Sequence, residues 1–109
     1  GMSGRISVAL AQVAAPGSRL LLEGEGYSLA LFNVEGQFYA IGDSCPHQGA
    51  SLCGGKLQGR VIQCGAHGLR FDLASGYLLN STQLKVPTYP VEVEGEQLHI
   101  LVPPQESAP

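Results

Sequence analysis

Two short segments of this chain carry residue types that bind transition metals, Cys45-Pro46-His47 and Cys64-Gly65-Ala66-His67. Each offers one thiolate and one imidazole, in Cys-x-His and Cys-x-x-His spacing, so two soft and two borderline ligands can converge from two loops. Four such ligands can close a tetrahedral zinc site. Structural zinc sites, however, more often use paired Cys-x-x-Cys knuckles with the histidines together on a helix. Here each loop is mixed. A mixed loop suits a pair of inequivalent irons, because each loop can place its cysteine on one metal and its histidine on the other. Zinc stays open as the alternative. Either histidine alone would read as an ordinary surface or core residue; the pairing with Cys45 and Cys64 makes both candidates.

Elements that could position these loops read as all-β. Arg5 to Val8 alternates, and Ala9 to Val13 could make one helical turn before Pro16-Gly17 ends it. Leu20 to Glu23 reads as a strand. Tyr27 to Val34 and Gln37 to Gly42 flank Glu35-Gly36, which predicts a hairpin. A second hairpin is expected from Val91 to Val93, a turn at Glu94-Gly95, and Gln97 to Val102. Its period-two pattern nominates Val91, Val93, Leu98, Ile100 and Val102 for the core face. Between the two hairpins, Leu57 to Gln63 and Phe71 to Tyr77 each predict a further short hairpin, giving three short strands whose two tips at one end hold the metal loops side by side. His99 lies in an alternating strand and reads as a hydrogen-bonded structural residue. Cys53 reads as a packed thiol.

Cys45-Pro46-His47-Gln48-Gly49 and Cys64-Gly65-Ala66-His67-Gly68 resemble the two loops of a Rieske iron-sulfur protein, and Gly42 to Glu96 reads like a Rieske ferredoxin. The resemblance implies a single domain over 1–109. Its antiparallel β-sandwich base is expected from 4–42 and 73–102, with a cluster-binding subdomain at 43–72 and a flexible tail at 103–109. It further implies one 2Fe-2S cluster, with Cys45 and Cys64 on the buried iron and His47 and His67 on the outer one. No residue is assigned a catalytic role. The implied function is to carry single electrons from a flavin-dependent reductase to a terminal, aromatic-ring-hydroxylating oxygenase. The small subunit of an assimilatory nitrite reductase and a zinc-stabilised interaction domain are the alternatives.

Within the family, high-potential members carry an extra cysteine in each loop, and a serine and a tyrosine that donate hydrogen bonds around the cluster. Those positions here hold Ala50, Ala66, Leu69 and Phe71, which implies a potential at the low end of the Rieske range of about −150 to +300 mV. Leu84 to Val91 resembles the proline-bearing loop that covers the cluster's other side.

Composition bounds the partners. Six Lys and Arg against nine Asp and Glu give a formal net charge of −3 over 109 residues. That argues against nucleic acid, which demands a basic face, and permits a basic protein partner. Asp43, Glu92, Glu94 and Glu96 read first as a solvated face, with an acidic docking surface as the alternative. No apolar run reaches the ~20 residues that span a bilayer. The basic-then-apolar layout of a signal peptide is missing, so the cytoplasm is the expected location.

Overall fold

The computed structural model describes residues 4–24, 26–45, 51–65 and 68–102. The expected flexible tail at 103–109 lies outside them. Ten strands form the described fold: β1 Gly4–Ala9, β2 Arg19–Gly24, β3 Tyr27–Val34, β4 Gln37–Gly42, β5 Lys56–Gln58, β6 Val61–Gln63, β7 Arg70–Asp72, β8 Thr88–Tyr89, β9 Val91–Glu94 and β10 Gln97–Val102. A single 3₁₀ turn, Leu10–Val13, occupies the expected helical position. All pairings are antiparallel, in three sheets ordered β1-β10-β9, β2-β3-β4-β8 and β5-β6-β7.

The second sheet is the middle layer, and the sequence of β3 explains why. Successive side chains of a strand point to opposite faces. In β3 both sets are largely apolar, so four consecutive residues, Leu29 to Phe32, are buried, and the polar Asn33 is buried with them. Leu29 and Leu31 pack with Ala40, Leu98, Ile100 and Val13 against the first sheet. Ala30 and Phe32 pack with Ile41 on the opposite side, in one cluster with Cys45, Leu52, Ile62, Cys64 and Phe71. One strand therefore lies between the sandwich core and the core that carries the candidate metal residues.

The β3–β4 hairpin turns in two residues, Glu35 and Gly36, both at positive φ (51° and 88°). That is the backbone of a type I′ turn, which matches the twist of the flanking strands. Asn33 stabilises it: its Oδ1 accepts from the Gly36 N–H at 2.8 Å, and its Nδ2 donates to the Val13 carbonyl at 2.7 Å. This buried amide ties the 3₁₀ turn to the hairpin, as a buried polar group must find partners.

Three sequence-based expectations are corrected in detail. The β9–β10 turn falls at Gly95-Glu96, since Glu94 pairs with Gln97. Val93 is 52 % exposed although its cross-strand partner Leu98 is fully buried. β9 is the edge of its sheet, whereas Leu98 sits on the central strand β10. Finally, only the second metal loop is a tip of the small sheet. The first lies between β4 and β5 and is closed by the isolated bridge Ser44↔Ser51.

His99 is buried between Leu98 and Ile100. Its Nδ1 lies 2.8 Å from the Ser7 hydroxyl and its Nε2 lies 3.5 Å from a Glu94 carboxylate oxygen. It is a hydrogen-bonded member of the first sheet.

Candidate metal centre

Cys45 follows β4 by three residues, and Cys64 follows β6 directly. Their thiols are 1 % and 0 % exposed and share one apolar cluster, so two separate loops deliver sulfur to one buried neighbourhood. No disulfide joins any of the three cysteines. His47 and His67, like Pro46, Gln48, Ala50 and Ala66, lie outside the described residues. Among the described residues no group of three or more His, Cys, Asp or Glu side chains gathers.

The backbone around each thiol is pinned. In the first loop the Asp43 N–H donates to the Ser28 carbonyl at 3.0 Å, and the Asp43 carbonyl accepts from the Leu52 N–H at 2.6 Å. Asp43 Oδ1 also accepts from the Cys53 N–H at 2.8 Å. Asp43 is buried, so it clamps the two stems of the loop and is not part of an acidic surface. In the second loop the Cys64 N–H donates to the Leu69 carbonyl at 2.7 Å and the Cys64 carbonyl accepts from the Gly68 N–H at 2.9 Å. These bonds narrow both loops at their bases, which fixes where each sulfur sits before any metal binds.

Arg19, on β2, is a link that sequence reading did not single out. Its Nη1 donates to the Cys53 carbonyl at 3.0 Å and also to the Gly55 carbonyl, while its guanidinium lies 5.8 Å from the centroid of the Phe32 ring. The middle sheet thereby holds the return stem of the first loop. Cys53 is packed, as expected, at 9 % exposure. Burial, reinforced by the Asp43 charge and partly opposed by Arg19, pushes its thiol pKa up, which keeps it protonated and unreactive.

At the other end of the small sheet Asp72 organises a turn. It accepts from Arg60 Nε at 2.9 Å, the Ala74 N–H at 3.2 Å and the Ser75 hydroxyl at 3.1 Å. Burial alone would raise its pKa, but these donors and the Arg60 charge outweigh that and hold the carboxyl below its ordinary value. The chain then returns through Val86, buried beside the cysteines, to Pro87, whose carbonyl accepts from the Gly42 N–H at 2.9 Å. The proline-bearing segment is thus stitched to the end of β4.

Close packing between the two loop stems makes one glycine irreplaceable. A Cβ on Gly55 would lie 2.2 Å from the carbonyl oxygen of Gln63, the residue before Cys64, whereas one on Gly54 would meet nothing within 4 Å. Gly55→Ala is expected to push β6 away from the first loop and speed bleaching of the holo-protein under a chelator, with Gly54→Ala close to wild type. Equal bleaching rates in the two variants would show that the stems need not touch.

A small antiparallel sandwich that buries two thiols from two separate loops is the frame that a two-loop metal centre needs. The donor set fits an iron-sulfur group, since soft thiolates occupy the dry inner side and the imidazoles belong to the same loops. The family model for the Rieske [2Fe-2S] domain matches residues 6–90. The chain is 42 % identical over 77 residues to the ferredoxin component of the naphthalene 1,2-dioxygenase system of Pseudomonas aeruginosa, covering 70 % of this chain and 74 % of that one. Among solved structures, it matches a chain in the complex of reduced oxygenase and oxidized ferredoxin in carbazole 1,9a-dioxygenase. There the TM-score is 0.79 and the identity 33 %, over 87 % of this chain and 99 % of the other. The ferredoxin of carbazole 1,9a-dioxygenase from Nocardioides aromaticivorans IC177 also superposes at TM-score 0.79, with 26 % identity over 95 % and 100 % of the two chains. The chain belongs to the Rieske [2Fe-2S] domain family, and its cofactor is a 2Fe-2S cluster.

Proposed function

We propose that this chain is the ferredoxin of a multicomponent oxygenase system, passing single electrons from a flavin-dependent reductase to a terminal, aromatic-ring-hydroxylating oxygenase. Cys45 and Cys64 hold the inner iron and His47 and His67 the outer one. Residues 43–72 form the cluster-binding subdomain on a base of 4–42 and 73–102. Bound there, the cluster supplies a one-electron couple. The protein's part is to bury the two thiols and to fix the loop stems through Asp43 and Arg19. The observation that carries this reading is the convergence of two buried thiols from separate loops in a chain that resembles dioxygenase ferredoxins over most of its length. Among the described residues no helix is long and apolar enough to cross a membrane, and the cytoplasm is the proposed location.

The decisive experiment is metal and sulfide analysis of the purified protein combined with a reductive titration. Two irons and two acid-labile sulfides per chain, with reversible uptake of one electron, are expected. A colourless protein with stoichiometric zinc would overturn the proposal. The midpoint potential is expected near the low end of the range of about −150 to +300 mV. Leu69 and the fully buried Phe71 bring no hydroxyl to the second loop. Hydrogen bonds that would offset the added negative charge of the reduced state are therefore fewer. A potential near the top of the range would show that other donors replace them.

A further inference from the structure

Charge is segregated along this chain in a way its net value hides. Every glutamate falls outside residues 43–86, whereas four of the six cations, Lys56, Arg60, Arg70 and Lys85, fall inside. Asp43 and Asp72 are the only carboxylates there, so the segment that carries both metal loops has an excess of two positive charges in a chain of net charge −3. Neither aspartate offers a solvated charge. Asp43 is buried against the Cys53 N–H, and Asp72 is paired with Arg60.

The small sheet arranges what remains. Lys56, Gln63 and Arg70 face one another across β5, β6 and β7 in a single register row, and Gln63 is the residue before Cys64. Directly opposed residues project from the same face. The adjacent row, Leu57, Ile62 and Phe71, projects inward to the core, so the cationic row projects outward. Lys56 and Arg70 are both exposed, and neither forms an ion pair among the described residues. Beside them lies a shallow depression lined by Gly68, Leu69, Arg70, Leu78 and Leu79. Among the described residues, a chain with surplus carboxylates thus leaves these two cations without an ion pair next to its second metal loop, with an apolar rim beside them.

We infer that this face, with Lys56 and Arg70 as its charges and Leu69, Leu78 and Leu79 as its rim, docks a protein partner whose own contact surface is rich in carboxylates. The inference rests on the electron-carrier reading above and reverses the basic partner that net charge alone permits. The glutamates of the β9–β10 hairpin lie in the sheet on the opposite side of the middle layer, where they do not oppose such a partner. Complementary charge of this kind acts mainly on the rate and orientation of encounter.

The test uses reduced holo-protein, oxidised in a stopped-flow instrument by ferricyanide or by hexaammineruthenium(III), each taking one electron. Poly-L-glutamate or poly-L-lysine stands in for a charged partner face. The ferricyanide rate is expected to fall as salt is added. The double variant Lys56→Glu/Arg70→Glu should slow it by about tenfold, at the low end of what focused charge does to an on-rate, and should speed the ruthenium reaction. Because the two oxidants respond in opposite directions, a shift in potential cannot imitate the result. Poly-L-glutamate should protect the wild type, but not the variant, from ferricyanide. Protection by poly-L-lysine instead, or equal changes with both oxidants, overturns the docking surface. A preparation without a reversible one-electron couple overturns the carrier reading as well, whereas a normal couple with charge-indifferent kinetics overturns this inference alone.

Discussion

Changing Cys64 to alanine is expected to remove essentially all visible absorbance and iron from the purified protein, while Cys53→Ala keeps both. The two thiols sit in the same buried cluster, so burial alone does not separate them. Their backbones do. Cys64 stands at the root of the second loop, its N–H and carbonyl both committed to closing that loop. Cys53 lies on the return stem of the first loop, its N–H held by Asp43 and its carbonyl by Arg19. Removing a ligand also withdraws the part of the metal-binding free energy that is folding free energy. The Cys64 variant should therefore melt earlier, and His67→Ala should behave like it. Cys64→Ser guards against simple misfolding: a hydroxyl fills the space but is a poor ligand for this metal. Retained absorbance in Cys64→Ala, or its loss in Cys53→Ala, would show that the ligand set has been drawn from the wrong cysteine.

The family and the pairing of Cys45 with Cys64 in one buried cluster were legible because the two motifs are local in sequence. Cys-x-His and Cys-x-x-His are short, and the glycine after the second histidine marks a tight loop. The β3–β4 hairpin was legible for the same reason, Glu35-Gly36 supplying the turn within its own two residues. The supports of the centre were not legible. Arg19 acts on Cys53 and Gly55 from 34 and 36 residues away, and nothing in its own neighbourhood signals it. By composition Asp43 is one more surface acid, and only its position two residues before Cys45 hints otherwise, since a short carboxylate side chain readily caps nearby backbone N–H groups. The exposure of Val93 follows from β9 being an edge, and edges are decided by which strands pair. Here β1 pairs with β10 and β8 with β4, contacts that period-two patterning cannot specify.

The most severe purely structural change should be Phe32→Ala. Phe32 is fully buried and belongs to the face of β3 that meets the candidate metal core, with Ala30 and Ile41 beside it. Its loss should cost about 3–5 kcal/mol, a large share of the roughly 5–15 kcal/mol that holds a domain folded. A fall in Tm on the order of 20 °C follows for a chain of this size. The damage should also reach the centre. The ring lies under the Arg19 guanidinium, and Arg19 holds the return stem of the first loop. Leu31→Ala is the matched control, one residue away on the same strand but facing the sandwich core. It should destabilise the fold by about 2–5 kcal/mol yet leave the rate of cluster loss below the melting transition near that of the wild type. If Leu31→Ala bleaches as fast as Phe32→Ala, β3 does not separate two cores, and the centre draws its support from the fold as a whole.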